Sequence, residues 1–394
     1  MVRLTDPAEF GSSAELRLIS RILSMLPPAQ RPAEGPGDDA AVVSVAGAPL
    51  AGAVARRRAS PETRTYGTAG KSDQTSRYGF ANRELDALPS RLLFCIDGLV
   101  EGIHFDRRIS TPFDVGWKAV SVNLSDIAAM GGRPLVAVVS VSAPTERGPA
   151  EIEEVMEGAA ALSGSYGVQI VGGDVSEGPS LHVVVAVLGA LPEGREPVTR
   201  TGARAGQLLL VTGVLGKASF GLKLGLSGRR TDSEFVIRHR RPEPRLAEGE
   251  IAAAAGATAM IDISDGLILD AYRLAAASGV RLAIDLRLVP IPDISEISVE
   301  EPMPEAGGPD SARRIVQAEV LRHALAGGDD YELLFTLDRE KLAELEELWS
   351  DDLAPFAVIG TVEEGEGVEI FPDEVVPPGL REGGWQHFAG RPSR

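Results

Sequence analysis

Six aspartates stand in similar settings along this 394-residue chain. Asp39, Asp97, Asp126, Asp174, Asp262 and Asp265 come from separate segments, most of them at the end of an apolar run beside glycine or another aspartate. Singly, such residues are turn or capping groups. Gathered in one place they would repel one another strongly unless cations lay between them. Two readings stay open: a multi-metal site for a polyphosphate, or turn chemistry repeated by coincidence. Five histidines and one cysteine support zinc poorly. Mg2+ fits the pattern better, because a few carboxylates hold it and substrate phosphates complete its shell. The residues alone lead to a Mg2+-dependent enzyme acting on a phosphorylated substrate.

The elements that would carry these residues are centred on 114–134. Val120, Leu124, Ile127 and Ala128 recur at helical spacing and form one apolar stripe. Asn123 and Asp126 fall on a different face, three residues apart, so their polar ends can point together. Gly131 and Gly132 end this helix and Pro134 prevents its continuation, ahead of an apolar strand at 135–141. Asp39 lies in a turn before a short strand. Asp97 is expected at the end of a strand at 92–96. Asp174 follows a strand at 168–171 and the pair Gly172 and Gly173, which would let a backbone approach a bound group. Asp262 is carried by a strand, and Ser264 or Asp265 can cap a helix running to Ser278 and stopped by Gly279. The run 327–332, GGDDYE, turns into a strand at 333–337.

Residues 213–219, GVLGKAS, nearly match a phosphate-binding loop. The first glycine is misplaced and Ala218 replaces the required hydroxyl residue, which rejects that motif. The polar stretch 194–207 divides the chain into expected domains 1–193 and 194–394. Residues 47–90, with three successive arginines, read as a surface insertion. Residues 290–314 read as loop, part of a second insertion at about 292–316.

A net charge of −18, from 39 basic and 57 acidic residues, argues against nucleic acid as a partner. No window has the length and hydropathy of a membrane span. The first residues, MVRLTDPAEFG, lack a signal pattern, and the single Cys95 excludes an intrachain disulfide framework; both suit the cytoplasm.

The motifs GDDAAVV, DGLVEGIHF, WKAVSVNLSDIAAMGGRP, GGD, PVTRTGARAGQLLLVTG, IDISDGL, GGDDYELLF and the closing WQHF occur in the order found in thiamine-monophosphate kinases, which the chain resembles over nearly its whole length outside the insertions. The wider superfamily is that of aminoimidazole ribonucleotide synthetase. The resemblance implies a two-domain α+β fold: an N-terminal α/β domain that pairs into a dimeric β-barrel, and a C-terminal layered α+β domain. It implies a homodimer that transfers the γ-phosphoryl group of ATP to thiamine monophosphate. Asp39, Asp97, Asp126, Asp174 and Asp262 would hold Mg2+ ions on the triphosphate, with Ile96 offering its carbonyl and Asp265 holding a further ion. Gly173, Asp174, Arg200 and Ser264 would contact ATP. His104, Asp329 and Trp385 would contact thiamine monophosphate.

The chain departs from the family pattern at several points. Cys95 and Ile96 replace the usual Ser-Thr before Asp97, and Gly98 follows it. Glu177 replaces a basic residue, and Asp329 stands where glutamate is common. Two alternatives follow: another ATP-dependent enzyme of the superfamily acting on an amide or other acceptor, or a homologue that binds nucleotide and thiamine phosphate without catalysis.

Overall fold

The computed structural model describes residues 2–4, 39–44, 91–228, 233–293, 308–377 and 380. The insertion expected at 47–90, most of the one at 292–316, and Trp385 lie outside the described residues. Two sheets organise what is described. The first has the order β2-β3-β6-β4-β5, from β2 (Ala41–Ser44), β3 (Arg91–Val100), β4 (Arg133–Ala143), β5 (Gln169–Glu177) and β6 (His182–Ala190). Its pairings are antiparallel apart from β4 with β5. Helices α1 (Pro112–Ala129) and α2 (Gly148–Ser165) pack together on one face.

The second sheet has the order β1-β12-β9-β11-β7-β10-β8. Its strands are β1 (Val2–Leu4), β7 (Leu208–Thr212), β8 (Ala259–Asp262), β9 (Arg281–Asp285), β10 (Leu333–Leu337), β11 (Phe356–Glu363) and β12 (Gly367–Phe371). The helices of this half are α3 (Lys217–Leu226), α4 (Glu234–Arg240), α5 (Leu246–Ala255), α6 (Leu267–Ser278), α7 (Gly308–Ala326) and α8 (Leu342–Leu348). β1 pairs with β12, so the chain's first strand sits in the sheet of the C-terminal half.

α1 forms where the sequence expects it, with firm ends. Thr111 accepts from the Asp114 backbone N–H at 3.2 Å, and Asp114 Oδ2 accepts from Thr111 N–H at 2.9 Å, closing a capping box with Pro112 at the first position. At the far end Gly131 takes φ +69°, and the N–H groups of Gly131 and Gly132 reach the carbonyls of Ala128 and Ile127. The helix is not simply amphipathic. Val120, Leu124 and Ile127 are fully buried, and so are Ser121, Asn123 and Ser125 on its other side. It lies between the first sheet and the α5–β8 wall, so every face is covered. Asn123 Nδ2 turns back to the Ala119 carbonyl at 2.9 Å.

One core joins the halves: Leu93, Leu124, Val155 and Val187 share it with Leu210, Met260 and Phe335. A second core, including Leu209, Ile261, Leu267, Leu274 and Val368, fills the space between the second sheet and α6 and α7. β7 and β10 are covered on both faces, which is why they read as unbroken apolar runs.

Several local expectations are corrected. β3 continues to Val100, so Asp97 lies inside a strand rather than at its end. β5 continues through Gly172, Gly173 and Asp174 to Glu177, because as an edge strand it needs only one partner. α6 begins after Gly266 with no side-chain cap; Asp270 reaches back instead and accepts from the N–H groups of Asp265 and Gly266 at 2.9 and 3.1 Å. α7 starts at Gly308, inside the span expected to be loop.

A buried ion pair ties α5 to the second sheet. Arg245 donates to both carboxylate oxygens of Glu332, at 2.7 and 2.6 Å, and Thr212 Oγ1 donates to Glu332 Oε2 at 2.7 Å. Arg245→Met would leave Glu332 charged and unpaired in the interior. The expected cost is about 3–5 kcal/mol, read as a lower urea midpoint with an unchanged slope; an unaltered midpoint would show that the pair contributes nothing.

Candidate active site

Three of the six aspartates converge. Asp39 precedes β2, Asp126 sits on α1 one turn from its end, and Asp262 closes β8. One carboxylate oxygen from each lies within 4.8 Å of the others. Ser125 Oγ donates to Asp262 Oδ2 at 2.6 Å, so adjacent α1 residues both address the cluster. Asp97 lies close enough to act on the Asp126 carboxyl. Along β3 it follows Cys95 on the face that α1 covers, whereas Ile96 points to the opposite face and is 62% exposed. An Ile96 role toward a metal is thus confined to its carbonyl.

Burial, then Asp97, Asp262 and Asp39, push the Asp126 carboxyl well above the usual carboxylate range. Burial and Asp39 do the same to Asp262, opposed by the Ser125 hydroxyl. Arg200 reaches in from the segment between the halves and pairs with Asp39 through Nη2. Asp39 Oδ2 is buried with no hydrogen-bond donor among the described residues. An all-oxygen, anionic set with an unsatisfied buried oxygen matches what Mg2+ requires.

The remaining expected residues stand around this cluster rather than in it. Asp265 pairs with Arg273 at 2.6 Å. Asp174 is exposed on β5, in register with Ser140 of β4, and so lies on the outer face of the first sheet, the face that carries Ile96. A Cβ on Gly173 would fall 1.8 Å from the Val139 carbonyl, so the strand pairing itself demands glycine there. Ser264 is held through its carbonyl, which accepts from the Asp329 N–H at 2.8 Å.

That bond is part of a zipper between the loops IDISDG and GGDDYE. Ile263 N–H donates to the Glu332 carbonyl, and Tyr331 N–H to the Ile263 carbonyl. Asp329 and Tyr331 both take positive φ, +65° and +52°, a strained backbone for a side-chain-bearing residue. The Tyr331 hydroxyl donates to Asp329 Oδ1 at 3.2 Å. Burial, followed by Asp329, Asp97 and Asp262, raises the Tyr331 phenol well above its ordinary value. The tyrosine thus joins the end of the strand that carries Asp262 to the Asp329 carboxylate. His104 Nδ1 accepts from Val100 N–H at 3.0 Å.

Sequence reasoning did not single out Tyr331, Lys118 or His239. Lys118 Nζ donates to Asp329 Oδ2 at 2.9 Å and to the His104 carbonyl at 3.2 Å. A lysine inside the otherwise buried stretch WKAVSVNLSD was the available signal. His239, on a short helix in the other half, gave none.

The rejected phosphate-loop segment has a different use. Asp330 Oδ2 accepts from Gly216 N–H at 2.7 Å and Oδ1 from Ala218 N–H at 3.4 Å, so the N-terminus of α3 is occupied by the chain's own carboxyl. Burial pushes that carboxyl up to about 8.

Comparison with known proteins bears on this geometry. Residues 86–191 match the AIR synthase related protein N-terminal domain, and residues 204–373 match its C-terminal domain. The chain is 37% identical over 255 residues to a thiamine-monophosphate kinase of Methanospirillum hungatei, covering 65% of this chain and 76% of that one. It is 32% identical over 305 residues to the thiamine-monophosphate kinase of Bacillus subtilis, covering 75% and 88%. A solved complex, AaThiL with AMPPCP and TMP, superposes with a TM-score of 0.68 at 29% identity, covering 98% of this chain and 99% of that one. The mixed α+β architecture of two such domains is therefore shared. Among the described residues no helix is long and apolar enough to cross a membrane.

Asp126→Asn tests the cluster without removing its bulk. It relieves repulsion, so the metal-free protein should melt higher, by about 3 °C, while turnover falls by about 100-fold or more. Mg2+ should raise the melting temperature of the wild type, less so as the pH is lowered, because the raised carboxyls must shed protons to bind it. Undiminished Mg2+ stabilisation in the variant would remove Asp126 from the metal set.

Proposed function

The chain belongs to the thiamine-monophosphate kinase family, and from that premise we propose how its residues share the reaction. It is a thiamine-phosphate kinase that phosphorylates thiamine monophosphate with ATP. The donor side is the acid cluster: Asp39, Asp97, Asp126 and Asp262, with the Ile96 carbonyl, hold Mg2+ on the triphosphate, and Asp265 serves a further ion. Bound Mg2+ supplies neutralisation of charge on the phosphates. Arg200, already at the cluster, offers a planar pair of donors to a phosphate, and Gly173 and Ser264 line the nucleotide. The acceptor side is His104, Asp329 and Trp385.

The observation that carries this division is the place of Tyr331, whose N–H donates to the carbonyl of Ile263, next to Asp262, and whose hydroxyl donates to Asp329. Donor and acceptor groups are thus neighbours. The oxygen that attacks belongs to a phosphate ionised at neutral pH, so the protein need not remove a proton. Its residues contribute alignment of the two phosphates and exclusion of stray geometry. The γ-phosphoryl bond to the ADP oxygen breaks as the bond to the acceptor oxygen forms, giving ADP and thiamine diphosphate.

We further read the enzyme as a cytoplasmic homodimer of two-domain subunits divided near 194. Support comes from the outer face of the first sheet, where Phe94, Ile96 and Val138 are 45%, 62% and 43% exposed. A large apolar sheet face of this kind ordinarily finds a partner. Pairing two such faces gives the barrel, and Asp174 lies on the same face, so its part in the metal set depends on the pairing.

Incubation with ATP, Mg2+ and thiamine monophosphate should give thiamine diphosphate and ADP in equal amounts; ATP consumption without thiamine diphosphate would overturn the assignment of acceptor. Val138→Lys, placing a charge on the outer face, should convert a dimer to a monomer in sedimentation. A variant that sediments as the wild type does would move the interface elsewhere.

A further inference from the structure

Lys118 is 2% exposed, among the most fully enclosed large side chains of the described residues. An ammonium ion so enclosed is costly unless paired and hydrogen-bonded. Its two partners come from different parts of the chain. One is Asp329 Oδ2, at 2.9 Å, on the GGDDYE loop of the C-terminal half. The other is the backbone carbonyl of His104, at 3.2 Å, on the loop after β3. The Lys118 backbone is itself fixed inside α1, whose Trp117 and Ser121 both donate to the Pro242 carbonyl at 3.1 and 2.9 Å.

Asp329 differs from its neighbours in exposure. Its side chain is 28% exposed, whereas Lys118 and His239 behind it are each 2% exposed. Oδ2 faces Lys118, with His239 Nδ1 at 3.3 Å, and Oδ1 takes the Tyr331 hydroxyl. Burial alone would raise the Asp329 carboxyl, but Lys118 and His239 outweigh it and hold the carboxyl well below the usual range. The carboxylate is gripped from behind and open in front. Its backbone, in the left-handed region, depends on such contacts to stay there.

We infer that Lys118 is a positioning residue for the acceptor side of the site, its buried ammonium fixing the Asp329 carboxylate and the His104 backbone in one geometry. This rests on the reading that Asp329 and His104 face thiamine monophosphate. The thiazolium ring of that substrate is a cation, and an anchored carboxylate is the group that recognises it. Lys118 itself is too enclosed to touch the substrate. The Asp329 side chain is one methylene shorter than glutamate, so the position of its carboxylate depends on the backbone and on the ammonium behind it.

The test is steady-state kinetics of Lys118→Met, Asp329→Asn and the double variant, with KM measured separately for thiamine monophosphate and for ATP. Lys118→Met should raise the acceptor KM by about ten-fold or more, with the ATP KM within about two-fold of wild type. In the Asp329→Asn background the same change should add little, because the group it positions is gone. Equal rises in both KM values, or full additivity, would reduce Lys118 to a structural ion pair and overturn the inference. If Asp329→Asn leaves the acceptor KM unchanged, the placement of thiamine monophosphate fails instead, and the inference with it. Should Lys118→Met not fold, Lys118→Gln keeps a donor for the His104 carbonyl and removes the charge. The same split in KM is expected, and its absence overturns the inference equally.

Discussion

Like charges at close quarters set the terms for this structure. Asp39, Asp126 and Asp262 bring carboxylate oxygens within 4.8 Å of one another, in surroundings that burial has already made hostile to charge. Such a group persists in a folded protein when cations are supplied and when the scaffold cannot relax away from it. Arg200 supplies one positive charge from within the chain. The scaffold is α1, capped at both ends and enclosed on every side.

α1 also sets a scale. Lys118 and Asp126 lie eight residues apart on it, about 12 Å along a helical axis. One addresses the Asp329 loop and the other the acid cluster. The spacing between the two sides is therefore written into a single rigid element, rather than left to the packing of two domains. The Ser125–Asp262 and Lys118–Asp329 bonds then draw the C-terminal half onto that element. The zipper between IDISDG and GGDDYE keeps those two contacts in register with each other.

Much of this was legible in the chain. The α1 segment announces itself by spacing and by Gly131 and Gly132 at its end, whereas the capping box of Thr111 and Asp114 came to light in the structure. β10 reads as a strand after the GGDDYE turn, and the aspartates read as a set. The unread parts have physical reasons. β5 runs through two glycines because an edge strand is steadied by a partner the sequence does not reveal. Ser264 and Asp265 looked like caps, but the side chain that accepts N–H groups ahead of α6 is Asp270, from inside the helix, which takes those of Asp265 and Gly266. Lys118 and His239 acquire meaning from Asp329, more than 200 residues from the first, and no local pattern spans that distance. The Walker-like glycines of 213–219 were rightly set aside, and the group their backbone holds is the Asp330 carboxyl.

β3 carries two unlike duties on one backbone. Ile96 faces outward with the apolar surface of the first sheet, and Asp97, the next residue, faces inward toward Asp126. A strand is a single chain thick, so a single peptide bond is the whole wall between the two environments. Any displacement of β3 across the plane of the sheet moves both side chains by the same amount.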